Sequence, residues 1–417
     1  MAERLPRVVV ILAVALNALG IGLIIPVMPA LLLEMGVPSV AQAASIGGLL
    51  SLVFALMQFL FGPMLGSLSD RFGRRPVLIL SLLTVAVDYA ILATATTLWL
   101  FFVARIVSGI ASATFSVANA VLADLSPPEK RAAAFGLTGA AFGIGFVLGP
   151  VFGGLLGELG PRAPFFAAAG LSALNAVIAY FALPETLKPK NRAPFRLSKS
   201  NPFAVFTDLA RRPALGGLVS VSFLDALAGM VYPAVWAYFA LTQFGWNSAT
   251  IGVSLATYGA FFALIQAGLI RIVLRFLGEM RTALLGLGLG VLGFVILSQI
   301  NSGALAFLLT PLFAMRAVAG TALSGLLSRR AGEEEQGAIQ GILAGMTGLA
   351  TLIAIPVMTQ IFAVFTSGGG MVWAGAPFAA AALLSAAALG LLVCLARPAH
   401  RLRPLAIPDL RDTGAER

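Results

Sequence analysis

A chain of 417 residues that is 59% hydrophobic and only 11% charged is not built as a water-soluble domain, in which about 25% of residues are charged. Its mean hydropathy of +0.98 leaves too little polar surface to keep such a length dispersed and predicts a polytopic membrane protein. The net charge of +10 does not point to nucleic acid, because nearly all of the basic residues lie in loops and tails or at the span edges. A single cysteine, Cys394, and a single histidine, His400, exclude a disulfide framework and a thiolate or imidazole metal centre.

In chain order, MAERLPR leads into an apolar run that outlasts a signal peptide and carries no cleavage site, so it reads as the first span. With a ruler of roughly 20 apolar residues per crossing, twelve spans follow, at about 6–33, 43–66, 76–94, 98–122, 133–157, 163–183, 214–241, 247–275, 280–299, 303–327, 337–364 and 372–396. A basic linker too polar to cross divides them six and six. The expected organisation is an N-terminal bundle (1–187), a linker (188–212), a C-terminal bundle (213–397) and a tail (398–417). Of the 27 Lys and Arg, 24 lie in the tails, in the loops after even-numbered spans, or at their edges. Such loops are cytoplasmic by the positive-inside rule, so both termini are expected in the cytoplasm. A repeat is readable at a constant offset of 205 residues: Ile46-Gly47 recurs as Ile251-Gly252, Gly73 as Gly278 and Gly136 as Gly341.

Between spans 2 and 3 lies Gly66-x-Leu68-x-Asp70-Arg71-x-Gly73-Arg74-Arg75-Pro76. This charged hinge resembles the signature loop between helices 2 and 3 of the major facilitator superfamily. At the equivalent place in the second half, Arg275 replaces Asp70, so one intact gating loop is expected. The resemblance implies an all-α membrane protein of twelve helices in two pseudo-symmetric six-helix bundles, with a site between them near mid-membrane.

Four ionisable side chains fall within the spans: Asp88, Arg105, Asp225 and Arg316. Each costs about 2.5–3.5 kcal/mol to insert and marks a functional position. Asp88 and Arg105 are each about seven residues from the far end of their span, roughly 10 Å deep at 1.5 Å per residue, so they share a depth. They read as a proton-responsive carboxylate beside a fixed cation, or as a static ion pair. Asp225 corresponds by the offset to Gly20, one turn from Asn17, so both are expected to line a central cavity. Arg316 reads as an anion holder or as a partner for Asp225. In span 5, Gly145, Gly149, Gly153 and Gly157 recur every fourth residue and make a smooth contact face. With Pro150 and Gly154 they resemble the antiporter signature of facilitator proton antiporters. Span 4 resembles their proton-related motif through Arg105 and Gly109.

Across nearly its whole length the chain is similar to the tetracycline/proton antiporters of the twelve-helix drug-antiporter group. The likeness runs through NALGIGLIIPVMP, the hinge, VDYAIL, VLADLSPPEKRAAAFG, AVWAYFALTQFGWNSATIG and EQGAIQGILAGMTGLA. It implies proton-driven export of tetracycline or a related amphipathic drug by alternating access, from a bacterial inner membrane. The hinge residues Gly66, Asp70, Arg71, Gly73, Arg74 and Arg75 would govern the interconversion. Asp88, Arg105 and Asp225 would couple protons, and Gln58 would face the substrate path. Asp70 would dock at the start of span 11 near Gly337. Three polar landmarks of those exporters are replaced here, by Asn17, Phe262 and Leu289. Further cavity residues are expected at Phe54, Phe115, Asn119, Tyr232, Trp236, Tyr258 and Arg316. The energy source would be the proton gradient without a cofactor, and the partners an amphipathic small molecule, protons and lipid, with a monomer as the working unit and no nucleic acid. The alternative is a symporter or uniporter for a sugar or other metabolite, against which the Gly149-Pro150 signature argues. No nucleophile elbow, metalloprotease pair or phosphate-binding loop is present, so an enzyme is not expected.

Overall fold

In hydrocarbon every backbone polar group must be satisfied within the chain, and helices do this segment by segment. The computed structural model describes residues 4–127, 130–193, 201, 203–330, 336–368 and 372–396, and among them it contains helices and no strand. The tail with His400, and residues 194–200 and 202 of the linker, lie outside the described residues. Eleven of the helical runs are long and apolar enough to cross a membrane. One of them, Ser248–Gln299, is 52 residues long, which at 1.5 Å per residue is about 78 Å, more than twice the hydrocarbon thickness. It is two crossings joined at Gly278, whose φ of 70° and ψ of 171° break the helix. The described residues therefore form twelve spans.

Several spans are discontinuous where proline dictates it. Span 1 is Arg4–Ile24 and then Met28–Glu34, interrupted around Pro26. Span 7 is Gly216–Gly229 and Val231–Phe244, where the ring of Pro233 crowds the carbonyl four residues back. Span 10 is in three pieces, Gly303–Leu308, Thr310–Met315 and Val318–Arg330, with Pro311 just after the first break and Arg316 at the second. Span 4 divides into Leu98–Ala111 and Thr114–Asp124 with no proline near.

The repeat is carried by the backbone. Gly73, between Val40–Phe72 (span 2) and Arg74–Thr94 (span 3), has φ 112°, and its counterpart Gly278 is also left-handed. With Arg275 at the place of Asp70, the sequence predicts that only the first hinge is intact. Instead an ion pair is kept with its signs exchanged: Arg74 meets Asp124 at 3.3 Å, and 205 residues further on Glu279 meets Arg329 at 2.9 Å.

The two halves meet at one end. Away from the basic loops, a single apolar cluster draws on both, with Leu23, Phe101 and Phe165 from one and Trp236, Phe362 and Phe378 from the other. On the basic side each half keeps its own cluster, around Leu82 and Leu122 in the first and Leu218 and Leu287 in the second. Among the described residues, the buried core joins the halves on the far side and not on the basic side. The contact expected between Asp70 and the start of span 11 (Gln336–Thr366) is not made among them. Asp70 is taken by Arg74 at 2.6 Å, and a side chain at Gly337 would meet nothing within 4 Å.

Candidate functional site

Asp88 on span 3 and Arg105 on the first piece of span 4 face one another. A terminal guanidinium nitrogen of Arg105 donates to Oδ2 of Asp88. The Asp88 side chain is only 3% exposed and that of Arg105 11%. Gly109 makes this possible, since a Cβ there would stand 2.6 Å from the carbonyl oxygen of Phe54. Span 2 thereby comes close enough for the Phe54 ring to lie 5.5 Å beneath Arg105. Oδ1 of Asp88 and Nε of Arg105 are buried without partners among the described residues.

The second half holds its own pair. Arg316, at the break in span 10, donates to Oδ1 of Asp225 at 2.5 Å and to the Asp225 backbone carbonyl at 3.0 Å. Its guanidinium lies 5.5 Å over Phe294, beside Tyr258 and a void of about 10 Å3, room for about one water. A bare Gly229 admits it, because a Cβ there would stand 2.8 Å from the guanidinium. Of the two roles read for Arg316, pairing with Asp225 is the one present. The two pairs are not related by the repeat: Asp88 and Arg105 correspond to Gly293 and Thr310, and Asp225 and Arg316 to Gly20 and Ala111. Each half has kept one buried pair in a place where the other has none.

Between the halves, where they meet, is a cavity of about 120 Å3. Arg105 and Ser51 line it from the first half, Tyr238 and Thr359 from the second, and the rest of the wall is largely apolar, as at Met28 and Ile355. Three aromatics expected here turn elsewhere. Tyr232 stacks between Trp236 at 4.6 Å and Tyr258 at 4.3 Å, and Trp236 donates to Ser254 Oγ at 2.8 Å while its edge meets Phe378. Together with Arg316 they belong to the interior of the second half. Span 7 presents its other face, Pro233, Ala234, Ala237 and Tyr238, to the cavity.

Of the other expected cavity residues, Gln58 is exposed and donates to Ser112 Oγ at 3.0 Å, at the break in span 4. Asn119 accepts from Thr138 at 2.7 Å, Phe115 is exposed with its edge on Phe142, and Asn17 is half-buried on span 1. Among the described residues no cluster of three or more His, Cys, Asp or Glu gathers to hold a metal ion.

The hinge is more completely tied than its spacing discloses. Arg74 bonds Asp70 and Ser69 as well as Asp124. Glu185, at the end of span 6, accepts from the backbone amides of Arg74 at 2.9 Å and Arg75 at 3.2 Å. A carboxylate thus sits on the positive N-terminus of span 3, in the space that a Cβ on Gly73 would fill. Arg75 donates to the Tyr180 carbonyl at 2.6 Å, and Arg71 lies 5.1 Å over Phe72. Nothing lies within 4 Å of where a side chain would begin at Gly66. Asp124 and Glu185 are the members that the sequence did not disclose.

The glycines of span 5 (Arg131–Gly157) serve two faces. A Cβ at Gly145, Gly149, Gly153 or Gly157 would strike span 1, at Ala15, Gly22, Leu23 and Val27. Gly154 looks the other way, where a Cβ would stand 2.5 Å from the carbonyl oxygen of Ser248 at the start of span 8. The carbonyl of Pro150 lies where a Cβ on Gly252 would be. Spans 5 and 8 therefore seal the far side backbone against backbone.

A family model described as Major Facilitator Superfamily matches residues 10–355. The chain belongs to the major facilitator superfamily. This facilitator is 41% identical to tetracycline resistance protein, class C, of Escherichia coli, over 88% of its own length and 92% of that protein's. It is 40% identical to tetracycline resistance protein, class G, of Vibrio anguillarum, over 89% and 94%. Among solved structures it shares the fold of a bacterial homologue of the human lysosomal transporter Spinster, with a TM-score of 0.76 at 17% identity, covering 94% of this chain and 96% of that one. The facilitator is thus a transporter rather than an enzyme, of the drug-efflux kind.

Proposed function

We propose that this facilitator exports tetracycline, or an amphipathic drug of that kind, from the bacterial cytoplasm across the inner membrane in exchange for protons, as a monomer with both termini cytoplasmic. The observation that carries this reading is the Asp88–Arg105 pair, a buried carboxylate held by a guanidinium that itself borders the cavity between the halves. A carboxylate released from its cation inside low dielectric is driven to its neutral form, so parting this pair couples substrate at the cavity to a proton at Asp88. Asp225 and Arg316 would provide a second such pair. The halves, 1–187 and 213–397, rock about the linker 188–212. The hinge around Asp70 and Arg74 would hold the basic side when it closes, and the glycines of spans 5 and 8 seal the far side in the present state. The gradient drives the cycle without a cofactor, and membrane lipid surrounds it. The alternative of sugar transport is disfavoured by the apolar cavity wall, since a polyol would leave its hydroxyls unpaired there.

The test is growth of a pump-deficient bacterium expressing the chain on a drug panel. Wild type raises the tolerated tetracycline concentration, and Asp88→Asn and Asp225→Asn abolish the gain while reaching the membrane in normal amount. Equal sensitivity of wild type and empty vector to every drug contradicts export, and full resistance in both variants contradicts the coupling roles.

A further inference from the structure

Two seams close the far side, spans 5 against 8 and spans 2 against 11, and each is tied by a hydrogen bond from one half to the other. The ties differ in kind. On the second seam Ser45, at the start of span 2, donates to Gln360, near the end of span 11, at 2.9 Å, a bond between neutral groups. On the first, Oε1 of Glu158 accepts from the backbone amide of Ala249 at 3.2 Å. Glu158 follows directly on span 5 in the first half, whereas Ala249 lies in the first turn of Ser248–Leu264, the helix that opens span 8 in the second. The amides of such a turn have no partner within their own helix and carry the positive end of its dipole. Asn247 takes the amide of Thr250 at 3.0 Å, and the negative charge comes from the opposite half. The place of the contact limits when it forms. A Cβ at Gly154 would stand 3.0 Å from Cα of Ala249, and one at Gly157 3.0 Å from Cβ of Ser248, so Glu158 reaches Ala249 only while the two spans are pressed together. The charged pair beside it at this end, Arg162 with Glu34 at 2.6 Å, lies wholly within the first half and survives their parting. Under the repeat Glu158 and Ala249 correspond to Ala363 and Ala44, so the second seam carries no such charge.

We propose that Glu158 is the clasp of the far side: its carboxylate docks on the start of span 8 while that side is shut, passes to water as it opens, and so sets how much of the population stands open there. The inference rests on the rocking of the two halves put forward above and adds the residue that weights one end of it. The glycines give the seam its shape, and the carboxylate gives it a charge that can be let go. Glu158 is exposed, so water is at hand to take up the carboxylate when the seam parts. A surface contact between a charge and a helix end is weak enough to break in every cycle, and salt screens it.

The experiment uses the full chain in lipid nanodiscs, with the exposed Cys394 replaced and spin labels at Gln42 and Ser367, both exposed and on the other seam. Glu158→Gln keeps an acceptor of the same shape and removes the charge alone. It is expected to raise the ratio of far-open to sealed molecules about two- to five-fold, the worth of one surface charge at a helix end, with the melting temperature unchanged. Glu158→Lys, which sets a cation on the same helix end, opens the far side further. Raised salt moves the wild type in the direction of Glu158→Gln and leaves that variant unmoved, a response that a merely structural residue would not give. An unchanged ratio in Glu158→Gln, a Glu158→Lys no more open than Glu158→Gln, a variant that answers to salt as the wild type does, or a fallen melting temperature in Glu158→Gln overturns the clasp. Tetracycline uptake by wild-type proteoliposomes keeps the two ideas apart. Uptake together with an unchanged ratio in Glu158→Gln sinks the clasp and leaves export standing, whereas a charge-ordered rise in the ratio without uptake supports the clasp and sinks tetracycline export.

Discussion

Arg105→Ala is expected to lose proton-driven transport altogether and about 3–5 kcal/mol of stability, the usual consequence of removing one member of a buried ion pair. Its partner, Asp88, is only 3% exposed, so the abandoned carboxylate has no route to water. The Phe54 ring loses its cation at the same stroke. The double variant Asp88→Asn/Arg105→Gln replaces the pair by two neutral groups able to hydrogen-bond to each other. It should recover most of the melting temperature and none of the proton coupling. Thermal unfolding of the purified variants, set beside tetracycline accumulation in cells, separates the two effects. A single variant as stable as wild type would show that Arg105 is not holding Asp88, and a double variant that still exports against a proton gradient would show that the pair is structural.

The second large effect lies in two adjacent glycines that look interchangeable. Gly153→Ala pushes into Leu23 of the same half, so it overpacks a bundle and should cost about 1–3 kcal/mol. Gly154→Ala pushes into the carbonyl of Ser248 in the opposite half, 2.5 Å from the new Cβ. That contact exists only while the far side is sealed. The halves can relieve it by parting, so Gly154→Ala should leave the melting temperature nearly unchanged and shift the population toward the state open on the far side. Spin labels at Gln42 and Ser367, both exposed near that end, read the change as a longer distance, once the exposed Cys394 has been replaced. Transport falls in both variants for different reasons. A lengthened distance in Gly153→Ala together with a collapse of stability in Gly154→Ala would reverse the assignment.

How much of this was legible in the chain divides along a physical line. Features set by scarcity were readable: charges are so rare in these spans that Asp88, Arg105, Asp225 and Arg316 stood out, and both pairings lay within the readings they allowed. Features set by backbone chemistry were readable too, such as the glycine face of span 5. The rotational phase of a helix was not. Span 7 is apolar on all sides, so nothing in its pattern fixes which face looks inward. The sequence accordingly places Tyr232 and Trp236 at the cavity, whereas they pack into their own half and Tyr238 lines the cavity instead. Long-range hydrogen bonding was hidden for another reason. Glu185 reaches amides 110 and 111 residues earlier in the chain, and no local spacing announces that. Arg74 and Asp124 are each 205 residues before Glu279 and Arg329, but that the exchanged signs belong to paired contacts emerges only from the structure.

The central claim is that the Asp88–Arg105 pair ties an outward-moving drug to an inward-moving proton. It is tested most directly in inside-out membrane vesicles acidified within, where a lumenal pH indicator is followed as tetracycline is added. The account predicts that tetracycline raises the lumenal pH with wild-type protein, and that Asp88→Asn abolishes the response while the protein remains folded and inserted. A lumenal pH indifferent to tetracycline, or a response that survives in Asp88→Asn, would contradict it.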